Sequence, residues 1–362
     1  MRSIICCVTN SLYYDQRMQR ICTSLHNAGY SVTLVGRKGI PADDFASSVY
    51  REHRLNMWFT NGPLFYLEFQ VRLFIYLIMN TADIYNAADL DTLPAVYFAS
   101  LCKRKKLVFD AHEWFTQQKE VITRKYVHRI WLMAERWLVP KCKNGYTVNQ
   151  QLANLFLKEY EVKYAVIRNV PTWKIVPENL NRKSDRWIIY QGAVNEGRCF
   201  EQLVPAMQQV DCRLRIWGNG NYMNQLTHLI HIKNLQNKVI CEGMVAPNHL
   251  SAITPQATIG ITLFENLGFN QYYSLANRFF DYIMAEVPQV CSNFPEYVSI
   301  LAQFPVGIAV DSSNPDAIAA GLNKLLQDDV LYDECVQACR AARAFFNWEN
   351  EQQKLLAFYE NV

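Results

Sequence analysis

Among the eleven cysteines of this chain no two stand in a C-x-x-C spacing, and their number is odd. Zinc clusters and a disulfide framework are therefore not expected. The thiols fall in apolar strand patterns (Cys6, Cys7, Cys212, Cys241, Cys291) and helix patterns (Cys22, Cys335, Cys339), as buried, reduced cysteines do. A stripe of Lys and Arg interleaved with aromatics is also missing. With a formal charge of only +3 over 362 residues, no nucleic-acid partner is expected, and K-R-K-K at 103–106 reads as a solvated turn. No apolar run reaches the ~20 uninterrupted residues of a membrane span. The most apolar stretch, Pro63 to Met79, is broken by Glu68 and Arg72; it reads as a covered helix, with peripheral contact to a membrane surface as the other reading. The N-terminal M-R-S-I-I-C-C-V-T-N enters a strand without the apolar length of a signal peptide, so the expected location is cytoplasmic, at most at the inner face of the membrane.

What is present is alternation. Short apolar runs, each followed by a helical pattern, recur from Ser3 to Ile167 and again from Trp187 onward, which predicts parallel α/β architecture twice over. Residues 171–186, P-T-W-K-I-V-P-E-N-L-N-R-K-S-D-R, are charged, twice broken by proline and aperiodic, and read as a linker. The expected division is 1–170, linker 171–186, and 187–345. A last helix over 346–362 has Trp348, Leu355, Leu356 and Tyr359 on one face, a face able to pack back on the first domain.

The chemistry gathers at the carboxyl ends of the strands, where open parallel sheets bind ligands. In the second half the strand-to-helix turns G-A-V-N-E-G-R (192–198), G-N-G-N (218–221) and E-G-M-V (242–245) all contain glycine, which lets backbone approach a ligand closely. The stretch 258–292 reads as strand Ile259–Phe264, a loop ending at Ser274, and a helix with Leu275, Phe279, Tyr282 and Ile283 at helical spacing until Pro288. Ser274 is the expected N-cap. Asn277 and Asp281 then share a polar face with Arg278 beside them, and Asp281 stands roughly 10 Å along the axis from the anion-binding helix start. A nucleoside diphosphate fits these two features, phosphate at the amides and ribose hydroxyls at the carboxylate. In the first half Asp15 and Arg17 begin a helix after strand one, N-A-A-D-L-D (86–91) follows another strand, and D-A-H-E (110–113) a third, so His112 lies among carboxylates as a proton carrier or hydrogen-bond donor.

The segments Y-Q-G-A-V-N-E-G-R (190–198), R-I-W-G-N-G (215–220), S-L-A-N-R-F-F-D-Y-I-M-A-E-V-P (274–288), F-N-W-E (346–349), A-A-D-L-D-T-L-P and V-F-D-A-H-E together resemble the retaining glycosyltransferases of family 4, also called glycosyl transferases group 1. The resemblance covers nearly the whole chain. It implies the GT-B fold, two Rossmann-like parallel-sheet domains facing a cleft, and transfer of a sugar from a nucleotide-diphosphate donor to a glycan or lipid-linked acceptor in polysaccharide synthesis. By resemblance Asp281 binds the donor ribose, Glu265 is its partner acid, Arg198 neutralises the diphosphate, and His112 approaches the sugar. Gly192, Gly218, Gly220 and Met244 line the donor site with Ser274, Leu275, Asn277 and Arg278, while Arg17 and Asp89 face the acceptor. Neither a metal nor another cofactor is expected, the nucleotide-sugar being a co-substrate. The departures are Ala193 where many members carry a second arginine, Glu286 where they carry glycine, a first loop (9–14) without glycine, and a separation of sixteen positions between Glu265 and Asp281. They leave two alternatives, a sugar-nucleotide 2-epimerase and a catalytically inactive nucleotide-sugar-binding subunit.

Overall fold

The structure is a computed structural model that describes residues 1–12, 15–39, 49–177, 180 and 182–362. Tyr13 and Tyr14 of the first loop and three residues of the expected linker lie outside the described residues. The chain forms two units, Met1–Asn169 with Glu351–Val362, and Val170–Asn350.

The first unit is built on seven parallel strands, β1 (Ser3–Ser11), β2 (Ser31–Arg37), β3 (Arg51–Leu55), β4 (Ile84–Ala88), β5 (Lys106–Ala111), β6 (Gly145–Thr147) and β7 (Ala165–Val166). They are ordered β3-β2-β1-β4-β5-β6-β7, so the order reverses between β1 and β4, where Ile4 pairs with Ile84 and Cys7 with Ala87. Helices on both faces bury β1 and β4, which explains their continuous apolar runs. β3 has no such run in its sequence because it is an edge strand: R-E-H-R-L buries only Leu55 and keeps charge on the open edge. Between β5 and β6 the chain forms a turn at Phe115–Gln117, a short helix Lys119–Ile122 and a helix Lys125–Leu138. The last helix, Trp348–Glu360, groups with this unit from Glu351 on. Its Tyr359 is fully buried and accepts a hydrogen bond from Asn86 Nδ2 at 2.9 Å, while Glu351 accepts from the Arg168 amide at 2.9 Å.

The second unit carries β8 (Trp187–Gln191), β9 (Arg213–Trp217), β10 (Val239–Gly243), β11 (Ile259–Thr262), β12 (Gln289–Ser292) and β13 (Gly307–Val310), all parallel and ordered β10-β9-β8-β11-β12-β13. Its reversal lies between β8 and β11. The helix Asn277–Met284 packs directly on β11: a Cβ on Gly260 would meet the Tyr282 ring at 2.5 Å, so only glycine lets the helix come so close. Glu286 explains itself here. Its φ is +58°, the left-handed region that favours glycine, and the strain is offset by ion pairs to Arg340 and Arg343. Arg182, in the segment expected to be a linker, is buried and donates to the carbonyls of Pro255, Ala285 and Glu286, closing the C-terminal end of that helix.

All eleven cysteines are free; nine are buried, while Cys102 and Cys241 are exposed.

Candidate functional site

At the carboxyl ends of β8 and β11 two arginines meet a wall of aromatics. Arg278 leaves the first turn of helix Asn277–Met284 and is buried, its guanidinium carbon 4.4 Å from the Tyr190 ring centre and 5.0 Å from that of Phe264. One of its nitrogens donates to the Gln191 carbonyl at 3.2 Å. Arg198 approaches the same Phe264 ring at 4.4 Å. Its Nε has no hydrogen-bond partner, and among the described residues neither arginine meets a carboxylate. Burial, and then the Arg278 cation beside it, depress the Arg198 pKa. Two like charges held together without a counter-ion cost energy in the folded chain and suit an anion that has still to arrive. Arg278, which the sequence puts beside the polar pair Asn277 and Asp281, is buried, with its guanidinium against Tyr190 and Phe264 at the strand end.

Around this pair the polar groups are held in order. Gln191 Nε2 donates to Asp281 at 3.2 Å and its Oε1 accepts from Thr254 at 2.7 Å, which fixes the carboxylate one helical turn beyond Asn277. Tyr282 Oη accepts from the Gln191 amide at 3.2 Å. Gln191 and Phe264 escaped the sequence reading; their position at strand ends was the only signal. The Glu265 amide donates to the Gly197 carbonyl at 3.0 Å, so Glu265 stays on the rim of the same crevice.

The glycine turns meet one another. The Gly192 amide donates to Trp217 and the Gly218 amide to Gly243. Gly218 has φ +154°, and a Cβ there would lie 1.8 Å from the Gly192 carbonyl oxygen; at Gly220 it would lie 2.2 Å from the Val194 carbonyl oxygen. Close passage of one turn over the next thus accounts for these two glycines before any ligand is considered. Met244, just after Gly243, is exposed.

The expected cap at Ser274 is corrected by the structure. The helix begins at Asn277 with Ala276 at its N-cap, because Phe269–Tyr272 forms a helical turn of its own. Ser274 Oγ closes that turn by donating to the Gln271 carbonyl at 2.9 Å. The Ala276 amide is taken by Tyr297 Oη at 3.1 Å. Ser274 and Leu275 therefore line the approach to the helix and do not begin it.

In the first unit His112, at the end of β5, donates to Asp89 at 3.0 Å. Burial opposes its charge, but Asp89, with Asp110 and Glu113 behind it, prevails and raises its pKa to about 10. Asp89 holds a left-handed backbone, φ +61°, and its amide donates to the Asp110 carbonyl at 2.9 Å. Asp91 is pushed up to about 7 by burial and then by Asp89, despite a hydrogen bond from Thr9 Oγ1 at 2.5 Å. Arg17 does not stand open: it forms a buried ion pair with Asp110 at 2.7 Å. Asp89, His112 and Glu113 bring three ligand-type atoms within 4.8 Å of one another, with His112 Nε2 hydrogen-bonded to Asp89.

Residues 171–342 match the family described as Glycosyl transferases group 1, and residues 16–172 the one described as Glycosyltransferase Family 4. An uncharacterized glycosyltransferase of Methanocaldococcus jannaschii is 23% identical over 183 residues, 49% of this chain and 45% of the relative, so the chain spans less than half of that relative's length. Among solved structures, Anabaena HepE in complex with UDP and glucose superposes with a TM-score of 0.77 at 11% identity over 100% of both chains. Sucrose-phosphate synthase from Thermosynechococcus elongatus does so at 0.77 and 15%, over 100% of this chain and 99% of its own. WaaG, a glycosyltransferase involved in lipopolysaccharide biosynthesis, gives 0.69 at 14%, over 97% and 98%. These identities speak for the fold, and the fold is GT-B. The two family matches adjoin and run from residue 16 to residue 342, and the chain belongs to the glycosyltransferases, its first part matching Family 4 and its second group 1.

Proposed function

We propose that this glycosyltransferase takes a sugar from a nucleoside-diphosphate donor, held by the second unit, and passes it with retention to a glycan or lipid-linked acceptor in cell-surface polysaccharide synthesis. The observation that carries the reading is the pair Arg198 and Arg278, packed against Phe264, and Arg278 also against Tyr190, at the β8/β11 reversal, with no carboxylate among the described residues to neutralise them. Breaking the anomeric C–O bond leaves negative charge on the diphosphate, and two fixed guanidinium groups in a poorly hydrated crevice stabilise it as it develops. Asp281, oriented by Gln191, accepts hydrogen bonds from ribose hydroxyls, and Glu265 serves as its partner acid at the sugar. His112, protonated by its pairing with Asp89 through Nε2, offers the N–H on its other ring nitrogen, Nδ1, to a sugar hydroxyl. The charge stabilisation assigned to the arginines needs no metal. A neighbour of the same fold binds UDP, which supports uracil as the first base to test.

The test is thermal unfolding with a panel of nucleoside diphosphates and their sugars, with Asp281→Ala as control. The expected outcome is a shift selective for one base and lost in the variant. No shift with any nucleotide overturns the donor site. Conversion of the donor sugar without any added acceptor identifies a 2-epimerase instead.

A further inference from the structure

Three helices on one side of the first unit turn apolar side chains both inward and outward. Helix Gly62–Met79 buries Phe65, Phe69, Leu73 and Leu77 in the same core as β4 and β5. Its length and composition would suffice to cross a bilayer, but that buried stripe holds it on the domain. On its outer side Leu64, Leu67, Val71, Ile75 and Met79 are exposed, again at helical spacing. Helix Lys125–Leu138 repeats the pattern with Tyr126, Ile130, Met133 and Trp137, from 50% (Trp137) to 82% (Tyr126) exposed. At about 100° per residue these four occupy about 60° of the helix circumference. Trp137 also touches Phe98 of helix Leu93–Lys103 at 5.7 Å between ring centres, and Phe98 and Leu101 are exposed as well. A soluble surface rarely gathers so many large apolar side chains on adjoining helices without a use.

The charges on the two helices differ: Gly62–Met79 carries one internal pair, Arg72 with Glu68 at 2.7 Å, while the charges exposed on and beside Lys125–Leu138 are of one sign. Arg124, Lys125, Arg129, Arg136, Lys141 and Lys143 are all exposed. The single acid between 121 and 143, Glu135, is buried and bonded to Tyr160. Lys125, Arg129 and Arg136 run along one edge of the apolar arc, the arrangement in which an interfacial helix sinks its apolar side chains among lipid chains and keeps its cations at anionic headgroups. A hydrophobic protein partner would explain the apolar stripe alone; the basic edge of Lys125–Leu138, with no exposed acid on that helix, selects the bilayer.

We propose that the outward faces of helices Gly62–Met79 and Lys125–Leu138 dock the first unit on an anionic lipid surface. Docking is independent of sugar transfer and of the donor site, so the two readings fail separately.

The experiment is co-sedimentation of the full chain, without nucleotide, with vesicles of phosphatidylcholine alone and of phosphatidylcholine with one-third phosphatidylglycerol. Expected are binding to the anionic vesicles only, weakening with added salt, and a blue shift of tryptophan emission. Replacing Lys125, Arg129 and Arg136 with Gln should cost roughly fivefold in binding per side chain, on the order of a hundredfold for all three. The pair Ile130→Ser and Met133→Ser should weaken it as well. Should the apolar pair fail to fold, the charge variant still decides, since its side chains are exposed. Equal binding to both vesicles, an unchanged charge variant, or no sedimentation overturns the proposal. So does self-association through Ile130 and Met133 without vesicle binding, which would assign the face to a second copy of the chain.

Discussion

Replacing Arg278 with Met removes a charge and keeps most of the volume, so it separates support of the fold from recognition of an anion. The lost hydrogen bond to the Gln191 carbonyl, charge-assisted at 3.2 Å, is worth about 1.5–3 kcal/mol. Against it stand the relief of an unpaired buried charge and of its repulsion with Arg198, and exchange of a buried charge for a hydrophobe is often neutral or better. The unliganded protein should therefore unfold within about 1 kcal/mol of the parent. Binding should behave otherwise. A diphosphate that loses one charge-assisted contact in a desolvated crevice loses about 3 kcal/mol, on the order of a hundredfold in Kd. At a ligand concentration 100 times the parent Kd, the parent gains about 2.7 kcal/mol, a rise of roughly 5–11 °C in Tm for a unit of this size. The variant at the same concentration gains only about 0.4 kcal/mol, roughly 1 °C. Scanning calorimetry with and without the selected nucleoside diphosphate reads both quantities. A variant that loses several kcal/mol without ligand and keeps the full ligand-induced rise would show Arg278 to be a structural strut and refute the anion site.

Gly218→Ala should lose about 3 kcal/mol or more and bind nucleotide poorly, because its Cβ would enter the Gly192 carbonyl, where no side chain can yield; a Tm within 2 °C of the parent, about the smallest shift a 1 kcal/mol loss gives, would show that the turns separate easily. The His112 pKa, raised to about 10 from about 6.5 unfolded, means that the folded protein holds this proton more tightly. Its contribution to stability is then complete below about pH 6.5 and is lost as pH rises toward 10. His112→Gln, which keeps a donor to Asp89, should abolish that alkaline slope in denaturant titrations, while the part due to Asp91, whose pKa is raised to about 7 so that its contribution is complete below about pH 4 and lost as pH rises toward 7, remains; an unchanged alkaline slope would assign it to another group.

Much of this was legible from the order of residues alone. The apolar runs of β1, β4, β8 and β11 announce strands covered on both faces, and the alternation with helices announces parallel sheets. The polar strand ends then point to the crevice. β3 was not legible, because an edge strand needs no apolar run and shows a charged surface instead. Ser274 misled because a serine before a helical pattern is a good cap in isolation; the competing turn at Phe269–Tyr272 and the Tyr297 hydroxyl, neither of them visible as local propensity, claimed the groups it would have used. Glu286 looked like a departure from the family and proved to be a left-handed position, its strain offset by arginines some fifty residues later in the chain.

By itself, then, the sequence determined two parallel α/β units, the glycine-bearing turns at their strand ends, and Asp281 on a polar helix face, because periodicity and turn chemistry are local and survive without a partner. Tertiary structure alone decided which charges are left unneutralised. Arg17 and Arg278 look alike in the chain, but the fold brings Asp110 to the first and, among the described residues, aromatic side chains and a carbonyl but no carboxylate to the second. Whether a buried cation is satisfied by the protein or waits for a ligand depends on residues distant in sequence that meet at the strand ends.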